Sequence, residues 1–98
     1  MSNPIGVAAN HFGAVDVCLD RGLGVVHWVH IRAGTTKTSF TLYDGTDSAG
    51  DKIFSAEVAA SPSKIYHFKP PLIYNMGLFV DVDGSIGDFT VSYEPADR

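Results

Sequence analysis

One short segment, residues 39–45, constrains the fold of this chain more than any other. It reads SFTLYDG, so polar and apolar side chains alternate before the segment ends on Asp-Gly. Successive side chains of an extended strand point to opposite faces, and the pattern therefore predicts a strand with Phe40 and Leu42 in the core and Tyr43 outside. Asp-Gly tolerates the positive φ angles of a tight turn, so we expect the chain to reverse there.

The same strand-and-turn pattern recurs along the chain, and no segment shows helical apolar spacing over more than one turn. The sequence therefore predicts an all-β protein, a single antiparallel β-sandwich or jelly roll of about seven or eight short strands. The 98 residues suit one domain, and the 10 Gly and 5 Pro separate the apolar runs. We expect an extended N-terminal arm over 1–12, the sandwich over 13–95 and a polar tail over 96–98.

Charge and cysteine content narrow the function classes. The net charge is −4 and the 7 basic residues are scattered, which disfavours nucleic-acid binding. No apolar run is long enough to span a bilayer and the start does not read as a secretory signal, so we expect cytoplasmic synthesis and no membrane partner. Cys18 is the single cysteine, so an intramolecular disulfide is excluded. It is expected to be a free thiol, with a bridge to another chain as the alternative.

The residues that carry chemistry do not form a catalytic or metal-binding pattern. His27 and His30 would point to opposite faces of an extended strand, so we do not expect them to share an ion. The Asp-rich loops at 44–51 and 81–88 lack the spacing of an EF-hand and read as plain turns. Cys18 lies mid-strand, and no Gly-x-Ser-x-Gly motif occurs. The sequence predicts a protein without catalytic activity, metal or cofactor.

The longest run, residues 23–32, has bulky side chains on both faces of its predicted strand. Because both faces are bulky, we expect the strand to be central or to be covered outside by a partner. Strict alternation assigns two sets of residues, one to each face: Val25, His27, Val29 and Ile31; and Val26, Trp28, His30 and Arg32.

Aromatic side chains on the outside predict a docking surface. Aromatic residues are enriched at protein–protein interfaces because they bury a large area with few rotatable bonds. Apolar residues in the arm are expected to become ordered by docking on a partner, the alternative being a frayed terminus. The predicted interface has seven members: Ile5, Val7, Phe12, Trp28, His30, Tyr43 and Phe79.

The order of the strand and turn segments resembles that of small virion structural proteins of tailed bacteriophages. The likeness covers about residues 14–94 and implies a β-sandwich that assembles on a particle. The linker around Cys18 and the pair Pro70-Pro71 depart from the usual pattern, so details of partner contacts are not carried over. Five segments carry the likeness: GVVHWVHI at 24–31, SFTLYDG at 39–45, SAGDKI at 48–53, NMGLFV at 75–80 and GDFTVSY at 87–93.

The resemblance implies a non-enzymatic virion structural protein, with capsid decoration as the first choice and a neck or tail component as the alternative. Its partners would be the major capsid protein or other virion proteins, and it would form a homo-oligomer on the particle. The residues themselves leave open a function of another class. In a carbohydrate-binding module, Trp28, Tyr43 and Asp44 would stack on and hydrogen-bond a sugar.

Overall fold

The computed structural model describes residues 9–59, 63–83 and 86–96. Within these ranges the chain forms eight β-strands and no helix, so no described segment offers a helix that could cross a membrane. The strands are β1 (Ala9–Gly13), β2 (Val17–Asp20), β3 (Gly24–Ala33), β4 (Thr38–Asp44), β5 (Asp51–Val58), β6 (Ser63–Tyr74), β7 (Leu78–Val82) and β8 (Ile86–Pro95).

Two four-stranded sheets pack together. The first, here called the β3 sheet, has the strand order β1-β8-β3-β6, and the second, the β4 sheet, has the order β2-β7-β4-β5. All of the pairings are antiparallel. The predicted antiparallel β-sandwich is confirmed.

The core lies between the sheets and is made by alternate residues of the central strands. Phe40 and Leu42 of β4 are fully buried, as the alternation of 39–45 predicts. Phe40 meets Phe89 of the other sheet edge-on, with ring centroids 5.5 Å apart. Fully buried apolar side chains come from both sheets: Val26, Val29, Ile31, Tyr74, Phe89 and Val91 from one, and Phe40, Leu42, Val58, Leu78 and Val80 from the other.

A β-bulge breaks the alternation of β3. The register passes from Val26 to Trp28 in both ladders and leaves His27 without a Cα partner. One extra residue shifts the in–out assignment on one side of the bulge. The expected face is therefore correct for Val29 and Ile31 but wrong for the first half of the strand, where Val26 is fully buried and Val25 is not.

The ends of the domain also differ from the expected boundaries. Residues 9–12, expected in the arm, belong to β1 and pair with β8, and Phe12 is opposite Thr90 in this register. Ile5 and Val7 lie outside the described residues. Val15 precedes β2 and is 69% exposed.

Candidate functional site

The outward aromatic residues lie on two opposite sides of the sandwich. Trp28 and His30 belong to the β3 sheet, whereas Tyr43 and Phe79 belong to the β4 sheet. All four are half-buried and lie outside the core cluster. The expectation of one continuous aromatic surface is therefore wrong, because strand alternation separates inside from outside but does not say which sheet a strand joins.

The outer surface of the β3 sheet, here called the β3 face, carries exposed apolar side chains on β3 and β6. Cross-strand register places Val25 beside Ile73, Trp28 beside His67, and His30 beside Ile65. Ile65 and Ile73 are 55% and 61% exposed, and both lie on the same edge strand of this sheet. The outward positions of β3 and β6 on this face include Val25, His27, Trp28, His30, Arg32, Ile65, His67, Lys69 and Ile73.

Strand β8, one of the two inner strands of this sheet, has buried side chains on both of its faces. Phe89 and Val91 face the core, and the intervening Thr90 and Ser92 are only 6% and 3% exposed. Thr90 and Ser92 stand beside His30 and Trp28 in the register with β3. Short side chains in the middle of the face thus lie below the level of their larger neighbours, and the exposed apolar area is carried by β3 and β6.

Two carboxylates on the β3 face, those of Glu94 and Asp88, have hydrogen-bond partners within the chain. His27 Nε2 and Glu94 Oε1 are 2.9 Å apart. The Nη2 and Nε atoms of Arg32 donate to one oxygen of Asp88, at 2.8 and 3.1 Å. The hydrogen bond and the charge of that carboxylate raise the pKa of Arg32. Lys69, which alternates with the inward Phe68 on β6, adds an exposed ammonium group to this face.

The bulge also corrects the expected separation of two histidines. His27 reaches Glu94, a position that alternates with the inward Tyr93, so His27 lies on the same outer surface as His30. Even so, the described part of the chain contains no group of three or more His, Cys, Asp or Glu side chains arranged to hold a metal ion.

The outer surface of the β4 sheet, here called the β4 face, combines an aromatic pair with carboxylates. Tyr43 and Phe79 are direct cross-strand partners, and their ring centroids are 6.4 Å apart. Asp81, two residues further along β7, is close to Asp16, whose carboxylate accepts a hydrogen bond from the Val82 amide at 2.8 Å. Partial burial, the charge of Asp16 and a hydrogen bond with it raise the pKa of Asp81.

Cys18 lies on the β4 face, opposite Phe79 in the register between β2 and β7. Its thiol is free and half-buried, and Sγ donates to the carbonyl oxygen of Asp20 at 3.3 Å. β2 is an edge strand of its sheet, and a disulfide bridge from Cys18 to another chain stays a prediction.

Asp44 has a structural task that the sequence did not reveal. Its Oδ1 accepts hydrogen bonds from the backbone amides of Asn75 and Met76, at 2.9 and 2.7 Å, and thereby ties the end of β4 to the turn before β7. The three-residue sugar site is thus not assembled: Trp28 lies on the opposite side of the molecule from Tyr43, and the Asp44 carboxylate is occupied.

The exposed isoleucines of β6 were missed as site residues. Tyr66 packs against the core, and alternation along 65–68 puts Ile65 on the opposite, outer face of the strand. The sequence therefore contained a pattern that identifies Ile65 as an outward residue. Ile73 follows Pro70 and Pro71, and four residues of β6 have no register partner there, so simple alternation could not be carried through to it.

Comparisons with protein-family models, with curated proteins and with solved structures found no match to this chain. The geometry described above is therefore the basis for assigning a function.

Proposed function

We propose that this chain is a non-enzymatic structural protein of a tailed-phage virion. It decorates the capsid as a homo-oligomer and docks through its outer sheet surfaces and its N-terminal segment. The order of the strand segments supports the virion assignment through the resemblance described above. The small β-sandwich suits a protein that covers junctions between major capsid subunits.

The observation that carries a docking function is the set of exposed apolar side chains on the β3 face. Full burial of an isoleucine side chain contributes ~1.5–3 kcal/mol, so covering the exposed halves of Ile65 and Ile73 would contribute roughly 1 kcal/mol each before the cost of association. Trp28, already half-buried between them in the sheet, supplies the aromatic anchor typical of interface centres. A monomeric protein has no need of such a surface.

The location on the particle separates the two virion alternatives. A decoration protein binds in a number fixed by the capsid lattice, and hundreds of equivalent junctions would be covered. A neck or tail component binds in far fewer copies at one vertex. Quantitative mass spectrometry of purified particles distinguishes them, and absence of the chain from the particles would refute the virion proposal.

The carbohydrate-binding alternative now has weaker support. Its three residues are divided between the two sides of the sandwich, which leaves Tyr43 and Phe79 as the only aromatic pair on the β4 face within the described residues. A glycan-dependent rise in melting temperature that disappears in Tyr43→Ala would favour this function over the structural one.

A further inference from the structure

We infer that the β3 face is the self-association surface of this protein, so that its occupant is the β3 face of a second copy. The inference rests on the proposed function in treating this face as a docking surface, and it adds the identity of the partner. Two copies would be related by a two-fold axis, and each residue set would meet the same set on the other chain.

The distribution of charged side chains on the β3 face suits a second copy as its occupant. A two-fold interface brings a surface against itself, so any uncompensated charge meets its own like charge. On the β3 face, Asp88 is ion-paired with Arg32 and Glu94 is hydrogen-bonded to His27, both within one chain. The outward positions of β3 between these contacts, Val25, Trp28 and His30, carry no carboxylate, so the apolar residues there can meet their own copies without opposed acidic groups.

The β4 face shows the opposite property. Asp16 and Asp81 lie side by side there, and partial burial together with the charge and hydrogen bond of Asp16 raises the pKa of Asp81. Apposing two such surfaces would bring four carboxylates together. The acidic surplus of a chain with net charge −4 makes this face a poor partner for itself and leaves it available for a different, more basic surface.

The size of the β3 face also fits a stable dimer. Four strands at ~4.8 Å spacing and ten residues of β3 at ~3.3 Å each give a footprint of roughly 600 Å². Accessible area exceeds a flat footprint because side chains protrude, so the face approaches the ~800 Å² per partner of a standard interface. Ile65 and Ile73 lie near opposite ends of the edge strand β6, so contacts with a second copy could form at both ends of the strand.

Sedimentation velocity of the full chain between about 5 and 500 μM tests this inference. We expect a concentration-dependent monomer–dimer equilibrium, and we expect Ile65→Lys and Ile73→Lys to raise the dissociation constant by at least about tenfold, since each buries two unpaired ammonium groups. Val15→Lys and Met76→Lys are matched controls, because these residues are 69% and 71% exposed but lie in connections outside the β3 face. The controls should leave the equilibrium unchanged.

Fluorescence of Trp28, the single tryptophan, gives an independent readout. Its emission should shift to shorter wavelength as dimers form, and this shift should be absent in Ile73→Lys at equal concentration. A circular dichroism melt establishes that each variant is folded before it is compared.

Two results would overturn the inference: a wild-type chain that stays monomeric over the whole range, or a dimer that the β3-face variants leave intact. Both differ from failure of the proposed function. A chain that dimerises as described but is missing from purified particles contradicts the virion assignment alone, whereas a particle-bound chain that is monomeric in solution contradicts the self-association alone.

Discussion

The carboxylate of Asp81 on the β4 face lowers the stability of the folded protein at neutral pH, whereas that of Asp88 on the β3 face raises it. The pKa of Asp81 is raised by partial burial and by Asp16, so folding favours its protonated form. The contribution of this group is fully present below the unfolded pKa of Asp81 and is lost as the pH rises through the folded pKa. At neutral pH the wild-type protein therefore carries an unfavourable term from this pair.

Asp81→Asn should consequently stabilise the protein at pH 7 and leave it unchanged, relative to the wild type, at acid pH. Solvent screening limits the gain to about 0.5 kcal/mol, the scale of exposed charge pairs. Urea denaturation at a series of pH values measures it. Asp88→Asn is the matched control, and it should destabilise at pH 7 because it removes the negative charge that accepts the Arg32 hydrogen bonds. A loss of stability in Asp81→Asn at pH 7 would contradict this account.

The carboxylate of Asp44 should contribute more to the free energy of unfolding than the carboxylate of Asp47 in the loop that follows. Asp44→Ala leaves the Asn75 and Met76 amides without their charged acceptor and should cost about 1.5 kcal/mol. Asp47→Ala removes a local bond to the Ala49 amide and should cost less than about 0.5 kcal/mol. Equal losses, measured by chemical denaturation, would show that the β4–turn connection is not what Asp44 stabilises.

At the scale of elements, regular strands were predictable from the sequence and the irregular one was not. Inward Leu78 and Val80 of β7 follow strict alternation, as do Phe40 and Leu42 of β4. In β3, nothing in the local sequence marks the bulge at His27. The bulge is defined by the pairing of β3 with β6 and β8, and no glycine or proline stands at that position. The alternation of side chains in one strand cannot reveal an extra residue that is extra only relative to the neighbouring strand.

The two sides of the β3 sheet predict a contrast between identical substitutions. Ile31 is fully buried, so Ile31→Ala should cost about 3 kcal/mol of unfolding free energy. Ile65, on the neighbouring strand, faces outward and is 55% exposed, so Ile65→Ala should cost less than about 1 kcal/mol in the monomer. Guanidinium denaturation at low protein concentration checks both. Similar losses at the two positions would mean that the assignment of inner and outer faces is wrong.

β1 makes the N-terminal boundary testable. Removing residues 1–13 deletes β1 and exposes the backbone of β8, which pairs with it from Phe89 to Tyr93. We expect lower stability and faster hydrogen exchange at the β8 amides that face β1. A chain that begins at Ala9 retains the strand and is the control. Unchanged exchange in the shorter variant would show that β1 does not protect β8 in solution.

At the scale of the whole molecule, the sequence predicted the sandwich but not the distribution of its outer residues. Trp28, Tyr43 and Phe79 were assigned to the outside, and all three lie there, half-buried. Their division between two sheets depends on which strands pair over long sequence separations, and side-chain alternation contains no such information. The two surfaces differ in charge for the same reason, since the Asp16–Asp81 pair is made by two separate segments.

The central claim is that the β3 face holds the protein in an assembly on a virus particle. The most direct measurement is the copy number of the chain per purified particle, by quantitative mass spectrometry, for the wild type and for Trp28→Ala at a temperature where both are folded. We predict a fixed copy number for the wild type and a lower one for the variant at limiting protein concentration, where a tenfold weaker association corresponds to ~1.4 kcal/mol of lost association free energy. Equal copy numbers for the two proteins, or particles that lack the wild-type chain, would contradict the claim.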